Sequence, residues 1–183
     1  GAAALATNYD FGRHHKVLDV AGGTGSFLVA VLKVHANLRG TLFELPGPCA
    51  VARQKLANLP EGSRIDIVEG DVFKDALPAD HDALIVANTA HVFSVPHNIE
   101  LMHKMRTGVQ PGARLLLVDL WTDSSHTQPG PAALMSGEFL VISGEGQAYS
   151  EQEADTWLGK TGWKKIENTP LAGPSSLIVA EAV

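Results

Sequence analysis

The chain has 183 residues, 45% of them hydrophobic and 19% charged, an ordinary composition for one globular domain with a proper core. Its formal net charge of -6 gives no electrostatic footprint for nucleic acid, and no apolar run is long enough for a membrane span. Cys49 is the only cysteine, which excludes an intrachain disulfide and a cysteine-built metal cluster and suits a reducing cytoplasm.

Strand and helix patterns alternate along the chain. Residues 16–21, "KVLDVA", read as a buried strand, and residues 26–36 as the helix after it, with Phe27, Val31 and Val34 at helical spacing. A second strand covers 40–45. Pro46 opens a helix reaching Asn58, proline being tolerated in a first turn. Strands follow at 64–70, 82–88 and 113–121, with a helix at 96–107 before the last of these. Residues 122–131 form a polar loop and 132–142 a helical segment. Ser150 with Glu153 three residues on gives a capping box for another helix. Two closing strands, 163–171 and 175–183, meet at a Gly173–Pro174 turn and should pair as a hairpin.

This alternation predicts an α/β fold, a Rossmann-like sheet of seven mostly parallel strands with helices on both faces and an antiparallel strand at the C-terminal end. Ligands in such sheets bind beyond the carboxyl ends of the strands, where strand order reverses. Gly22, Gly23 and Gly25 follow the first strand there and let backbone pass close to a ligand. The dinucleotide pattern G-x-G-x-x-G fails, because Leu28 stands where its third small residue belongs. Glu44 ends the second strand, where an acid suits a ribose diol. Asp71 follows the third strand beside Phe73, and His91 lies three residues beyond Asn88, past the fourth. No histidines show metal-ligand spacing; His97 and His103 fall on different faces of one helix.

"VLDVAGGTG" resembles the first motif of class I S-adenosylmethionine-dependent methyltransferases, with Ala21 in place of the first glycine. The block from "VANTAHVF" to "PGARLLLVDLW" resembles the caffeic acid O-methyltransferase-like family, which includes bacterial enzymes that tailor aromatic natural products. The resemblance covers nearly the whole chain. It implies that Asp19 faces the methionine end of the cofactor, that Gly22, Gly23 and Gly25 wrap it, and that Glu44 grips the ribose. It further implies that Asp71 and Phe73 lie along the adenine, with Leu45, Val72 and Asn88 completing the set.

His91 falls on the family's catalytic histidine, the general base that takes a phenol proton, and Asp119 on the acid that supports it. Trp121, Met135 and Phe139 are the expected acceptor wall. The family's second acid on the histidine is replaced by Ala148, with Glu145 close by, and its "HDW" becomes "HVF". The implied activity is methyl transfer from S-adenosylmethionine, which leaves S-adenosylhomocysteine, to a hydroxyl of a small aromatic or polyketide-type molecule. A cofactor-binding domain without methyl transfer and a NAD-dependent oxidoreductase are the alternatives. Residues 1–183 are expected to form the cofactor-binding catalytic domain alone. The family's N-terminal dimerisation domain would be absent, the acceptor site incomplete, and the full-length protein a homodimer.

Overall fold

A computed structural model describes residues 1–183 throughout. The apolar runs form β1 (Lys16–Val20), β2 (Arg39–Glu44), β3 (Ile65–Glu69), β4 (Ala83–Ala87) and β5 (Arg114–Asp119). The C-terminal pair is β6 (Trp163–Pro170) and β7 (Ser176–Ala182). All seven join one sheet in the order β3-β2-β1-β4-β5-β7-β6. The first five pair in parallel, and β7 lies antiparallel between β5 and β6. The expected hairpin therefore forms, and its second strand inserts beside β5. Strand order reverses between β1 and β4, so a crevice opens beyond their carboxyl ends.

Alternation along the strands divides the core in two. Leu18, Val20, Leu84, Val86, Leu115 and Leu117 face one side, with α4 (Val95–Thr107) and α6 (Glu151–Lys160). Val17, Ile85, Leu116 and Val118 face the other, with α2 (Ser26–Val34) and α3 (Pro46–Leu56). Leu28 of α2 packs over Gly40 of β2, where a β-carbon would come within 2.8 Å of its side chain. Close helix–strand approach is thus obtained by a glycine in the strand. In the dinucleotide pattern a glycine in the helix has that task.

Ser150 caps α6 as its sequence predicts: its hydroxyl accepts from the Glu153 N–H at 3.2 Å, and Glu153 accepts from the Ser150 N–H at 2.7 Å. The helix expected at 132–142 runs as α5 (Gly130–Ser143). An unanticipated helix, α1 (Ala2–Asn8), packs on α2 and buries Leu5 and Ala6. Seven residues without a side-chain cap are too short to signal a helix in sequence; docking on α2 supplies what local propensity does not.

Candidate active site

Beyond β1 the chain turns through left-handed backbone at Ala21 (φ 54°), Gly23 (φ 59°) and Gly25 (φ 78°). Gly22 has no such torsion, and its reason is contact: a β-carbon there would lie 2.4 Å from the Asp19 carboxylate. Asp19 shares the α2 side of the sheet with Val17, so it lies beneath the loop, fully buried, and does not line the cleft. Neither of its carboxylate oxygens has a hydrogen-bond partner. Burial, and secondarily the Glu44 carboxylate, push its pKa up to about 7.

Glu44 ties the loop to the next helix. One oxygen accepts from the Gly23 N–H at 2.9 Å and the other from the Leu45 N–H at 2.6 Å. Each oxygen keeps a further lone pair for a ligand hydroxyl.

A cleft of about 420 Å³ opens over the crevice. Six of the expected cofactor residues line it: Glu44, Leu45, Asp71, Val72, Phe73 and Asn88. Asp71 accepts from the Phe73 N–H at 2.9 Å and pairs with the Lys74 ammonium at 3.0 Å, and these hold its carboxyl below the usual range. Phe73 packs edge-on against Phe93 at 4.9 Å, which joins this wall to the turn carrying His91. A second cleft, about 490 Å³, lies near the amino ends of β1 and β5. Its central acid, Asp82, already accepts from the His15 and Lys16 N–H groups, so the first cleft has the stronger claim to a ligand.

His91 sits in a single 3-10 turn, Ala90–Val92, between β4 and α4. Its Nδ1 lies 2.6 Å from Asp119 Oδ1, and its backbone N–H donates to the other carboxylate oxygen at 3.3 Å. An ionised carboxylate only accepts, so Nδ1 carries the proton of this bond, and in the neutral ring Nε2 is the nitrogen with the free lone pair. Asp119, at the end of β5, is almost fully buried, and the imidazole is 16% exposed. Thr89, Val92 and Phe93, which flank His91 in sequence, line the cleft; the imidazole itself is not among the lining residues.

The three residues expected at the acceptor wall take different places. Trp121 is buried in the core, its indole N–H donating to the Leu117 carbonyl at 3.4 Å. Phe139 stacks face to face on His91, centroids 3.8 Å apart, so it touches the imidazole itself. Met135 is half-buried on α5. Glu145 pairs with His97 at 2.9 Å and does not replace the missing second acid on His91. Gly146 carries no sequence pattern of its own that marks it as part of a site. A β-carbon there would fall 1.8 Å from the His91 carbonyl oxygen, so the glycine lets the loop after α5 rest directly on the His91 turn. Two glycines in "SGEGQ" were the only available hint.

Comparison with known proteins agrees with this geometry. A family model described as "O-methyltransferase domain" matches residues 2–164. The 3-hydroxy-5-methyl-1-naphthoate 3-O-methyltransferase of Streptomyces sahachiroi is 30% identical over 175 residues, 96% of this chain and 50% of that protein. The S-adenosyl-L-methionine-dependent methyl transferase PigF of a Serratia species is 27% identical over 175 residues, 95% of this chain and 50% of PigF. The structure of PigF with SAH superimposes with a TM-score of 0.90, covering 98% of this chain and 54% of that one at 28% identity. Aclacinomycin 10-hydroxylase RdmB of Streptomyces purpurascens is 35% identical over 116 residues, 63% of this chain and 31% of RdmB. The chain spans about half the length of the curated relatives it matches. With the family model aligned to nearly all of it, the chain belongs to the O-methyltransferase domain family.

Proposed function

We propose that residues 1–183 are the S-adenosylmethionine-binding catalytic domain of an O-methyltransferase. Its acceptor is a hydroxyl of a small aromatic or polyketide-type natural product, and S-adenosylhomocysteine is the second product. The observation that carries this reading is the His91–Asp119 pair, with Nε2 unengaged and the residues flanking His91 lining the cleft over the sheet's switch point.

The residues present fit the cofactor. Gly22 and Gly23 offer backbone without side chains, Glu44 retains acceptor capacity for a diol, and Phe73 lines the cleft. Asp19, half ionised near neutral pH, lies without a hydrogen-bond partner beneath the loop, and a cation bound above it would favour its charged form. Bound there, S-adenosylmethionine supplies a methyl carbon already activated by its sulfonium. The chain's task is then the acceptor. A phenol holds its proton up to pH ~10, so it is a poor nucleophile at neutral pH. His91 Nε2 removes that proton as the oxygen attacks, a role worth about 100- to 10,000-fold in rate. Asp119 fixes the tautomer and stabilises the imidazolium.

The acceptor is the only further partner the site requires. A cytoplasmic homodimer is the matching assembly. The single cysteine supports that compartment, and apolar side chains left exposed along α5, Leu134, Val141 and Ile142, support a covering domain or subunit. No helix is long and apolar enough to cross a membrane.

A second reading, cofactor binding without methyl transfer, draws on the similarity to a protein named as a hydroxylase and on Ala148 and Val92 at the departures from the family pattern. His91→Ala in the full-length protein separates the two. Turnover should fall at least 100-fold while affinity for S-adenosylhomocysteine, measured by calorimetry, stays within about twofold. Undiminished turnover removes His91 as base. A wild-type protein that yields no methylated product by mass spectrometry across a panel of phenols favours the second reading.

A further inference from the structure

The turn that presents His91 is only three residues long, and so short a 3-10 segment has little stability of its own. Two side chains away from the imidazole hold its backbone. Asn98, near the start of α4 and only 2% exposed, directs its amide back over the turn. Nδ2 lies 2.9 Å from the Ala90 carbonyl, 3.0 Å from that of Phe93 and 3.2 Å from that of Ser94. All three partners are acceptors, so the amide nitrogen must face them and the orientation of the side chain follows from chemistry.

From the segment after α5 the Tyr149 hydroxyl donates to the same Phe93 carbonyl at 2.6 Å. That oxygen now takes two bonds and has both lone pairs filled. Tyr149 is nearly buried and packs edge-on against Trp157 at 4.8 Å. Burial pushes its pKa up to about 12, so the hydroxyl keeps its proton across the neutral range.

Capping of α4 does not account for Asn98. Ser94 already fills that role through the His97 N–H, and a cap accepts from N–H groups, whereas Asn98 donates to carbonyls of the preceding turn. A buried amide costs free energy unless its bonds are made, and here the bonds converge on one short turn.

We infer that Asn98 and Tyr149 are positioning residues for His91: they clamp the Ala90, Phe93 and Ser94 carbonyls and so hold the imidazole where Nδ1 meets Asp119. The inference rests on the reading of His91 as the base. It also accounts for Ala148. The second acid that would steady the ring is missing, and the backbone beneath the ring is clamped in its place.

The test uses a spectroscopic signature that needs no acceptor. In the wild-type protein, nitrogen-detected NMR of His91 should show the Nδ1–H tautomer. In Asn98→Leu it should show a mixture of tautomers, while S-adenosylhomocysteine still binds within about twofold. In the full-length enzyme kcat should fall about 10- to 100-fold with KM for S-adenosylmethionine unchanged, the loss expected when a reacting group is displaced by up to an ångström. Tyr149→Phe, which keeps the ring and loses only the hydroxyl, should move both readouts the same way by a smaller step. Asn98→Ser, with one donor left, should fall between wild type and Asn98→Leu. If Asn98→Leu fails to fold, the serine and phenylalanine variants decide the matter. A wild-type tautomer and undiminished kcat in both overturn the inference. Undiminished turnover in His91→Ala would sink the base reading separately, and the tautomer result would still report on the clamp.

Discussion

Around Glu44 the site is built from strand ends and the backbone that follows them, and around His91 it is built from side chains of several distant segments. Glu44 bonds the N–H of the very next residue and one other backbone N–H, that of Gly23, Asp71 bonds that of Phe73 two residues on, and each acid stands at or just past the end of its own strand. His91 instead depends on Asp119, 28 residues away, on the ring of Phe139, and on Gly146 and Tyr149 in the segment after α5. Backbone set by a strand end and a glycine loop tolerates change elsewhere in the molecule. A side chain held by contacts from several elements is exposed to every shift in their packing. The cofactor side should therefore survive lesions that cripple the catalytic side.

The sharpest way to break that contrast is Gly146→Ala. A methyl group 1.8 Å from the His91 carbonyl oxygen cannot be accommodated, so either the loop after α5 or the catalytic turn must move. Displacement of a base by about 1 Å costs on the order of 100-fold in rate. Steady-state kinetics on the full-length enzyme should show a fall in kcat of about that size, with S-adenosylhomocysteine affinity by calorimetry within about twofold of wild type. A comparable loss of cofactor affinity would show that the two sides are one cooperative unit.

The same contrast governs what could be read from the sequence. Strand ends, the glycine turn, Glu44, Asp71 and the capping box at Ser150 are local patterns, and each formed at or within two residues of its expected place. His91 and Asp119 came from likeness to a family, and the structure brings them to 2.6 Å. Position in the third dimension was not legible. Trp121 and Phe139 are both large apolar residues near β5 and α5, yet one sits in the core and the other on the imidazole. Asn98 looked like any polar residue of an amphipathic helix, because its three carbonyl partners are defined only once the turn before α4 has folded back. Asp19 fell on the expected strand end, but the strand's alternation turned it toward α2, away from the cleft.

Asp19 supplies a test of the cofactor side alone. An unfolded aspartate has a pKa of ~3.9, and in the folded chain Asp19 is pushed up to about 7. Between those values the folded state holds a proton that the unfolded state has lost, so stability falls as pH rises through this window and stays lowered above it. The full penalty is on the order of a few kcal/mol. Asp19→Asn should therefore unfold at a higher temperature than wild type at pH 8, with the gap closing toward pH 4. A gap that is the same at both pH values would show that Asp19 is not a buried titrating group.

The smallest expected effect lies next to the glycine loop, at the one position where this chain departs from its family's glycine pattern. Ala21 adopts φ 54°, and left-handed backbone costs an alanine about 1–2 kcal/mol. Ala21→Gly relieves that strain. Against the gain, glycine loosens the unfolded chain by about 0.4–1 kcal/mol, and the methyl group's packing against the core beneath β4 is lost. The terms nearly cancel, with strain the larger, so the variant should be more stable by about 0.5 kcal/mol. At 2–4 °C per kcal/mol that is a rise in Tm of roughly 1–2 °C, within reach of differential scanning calorimetry. Cofactor affinity should change little, because the backbone already holds the shape a glycine would prefer. A fall in Tm would mean that the methyl group matters more as packing than its torsion costs. The loop of this chain would then be built on a side-chain contact, as the His91 turn is.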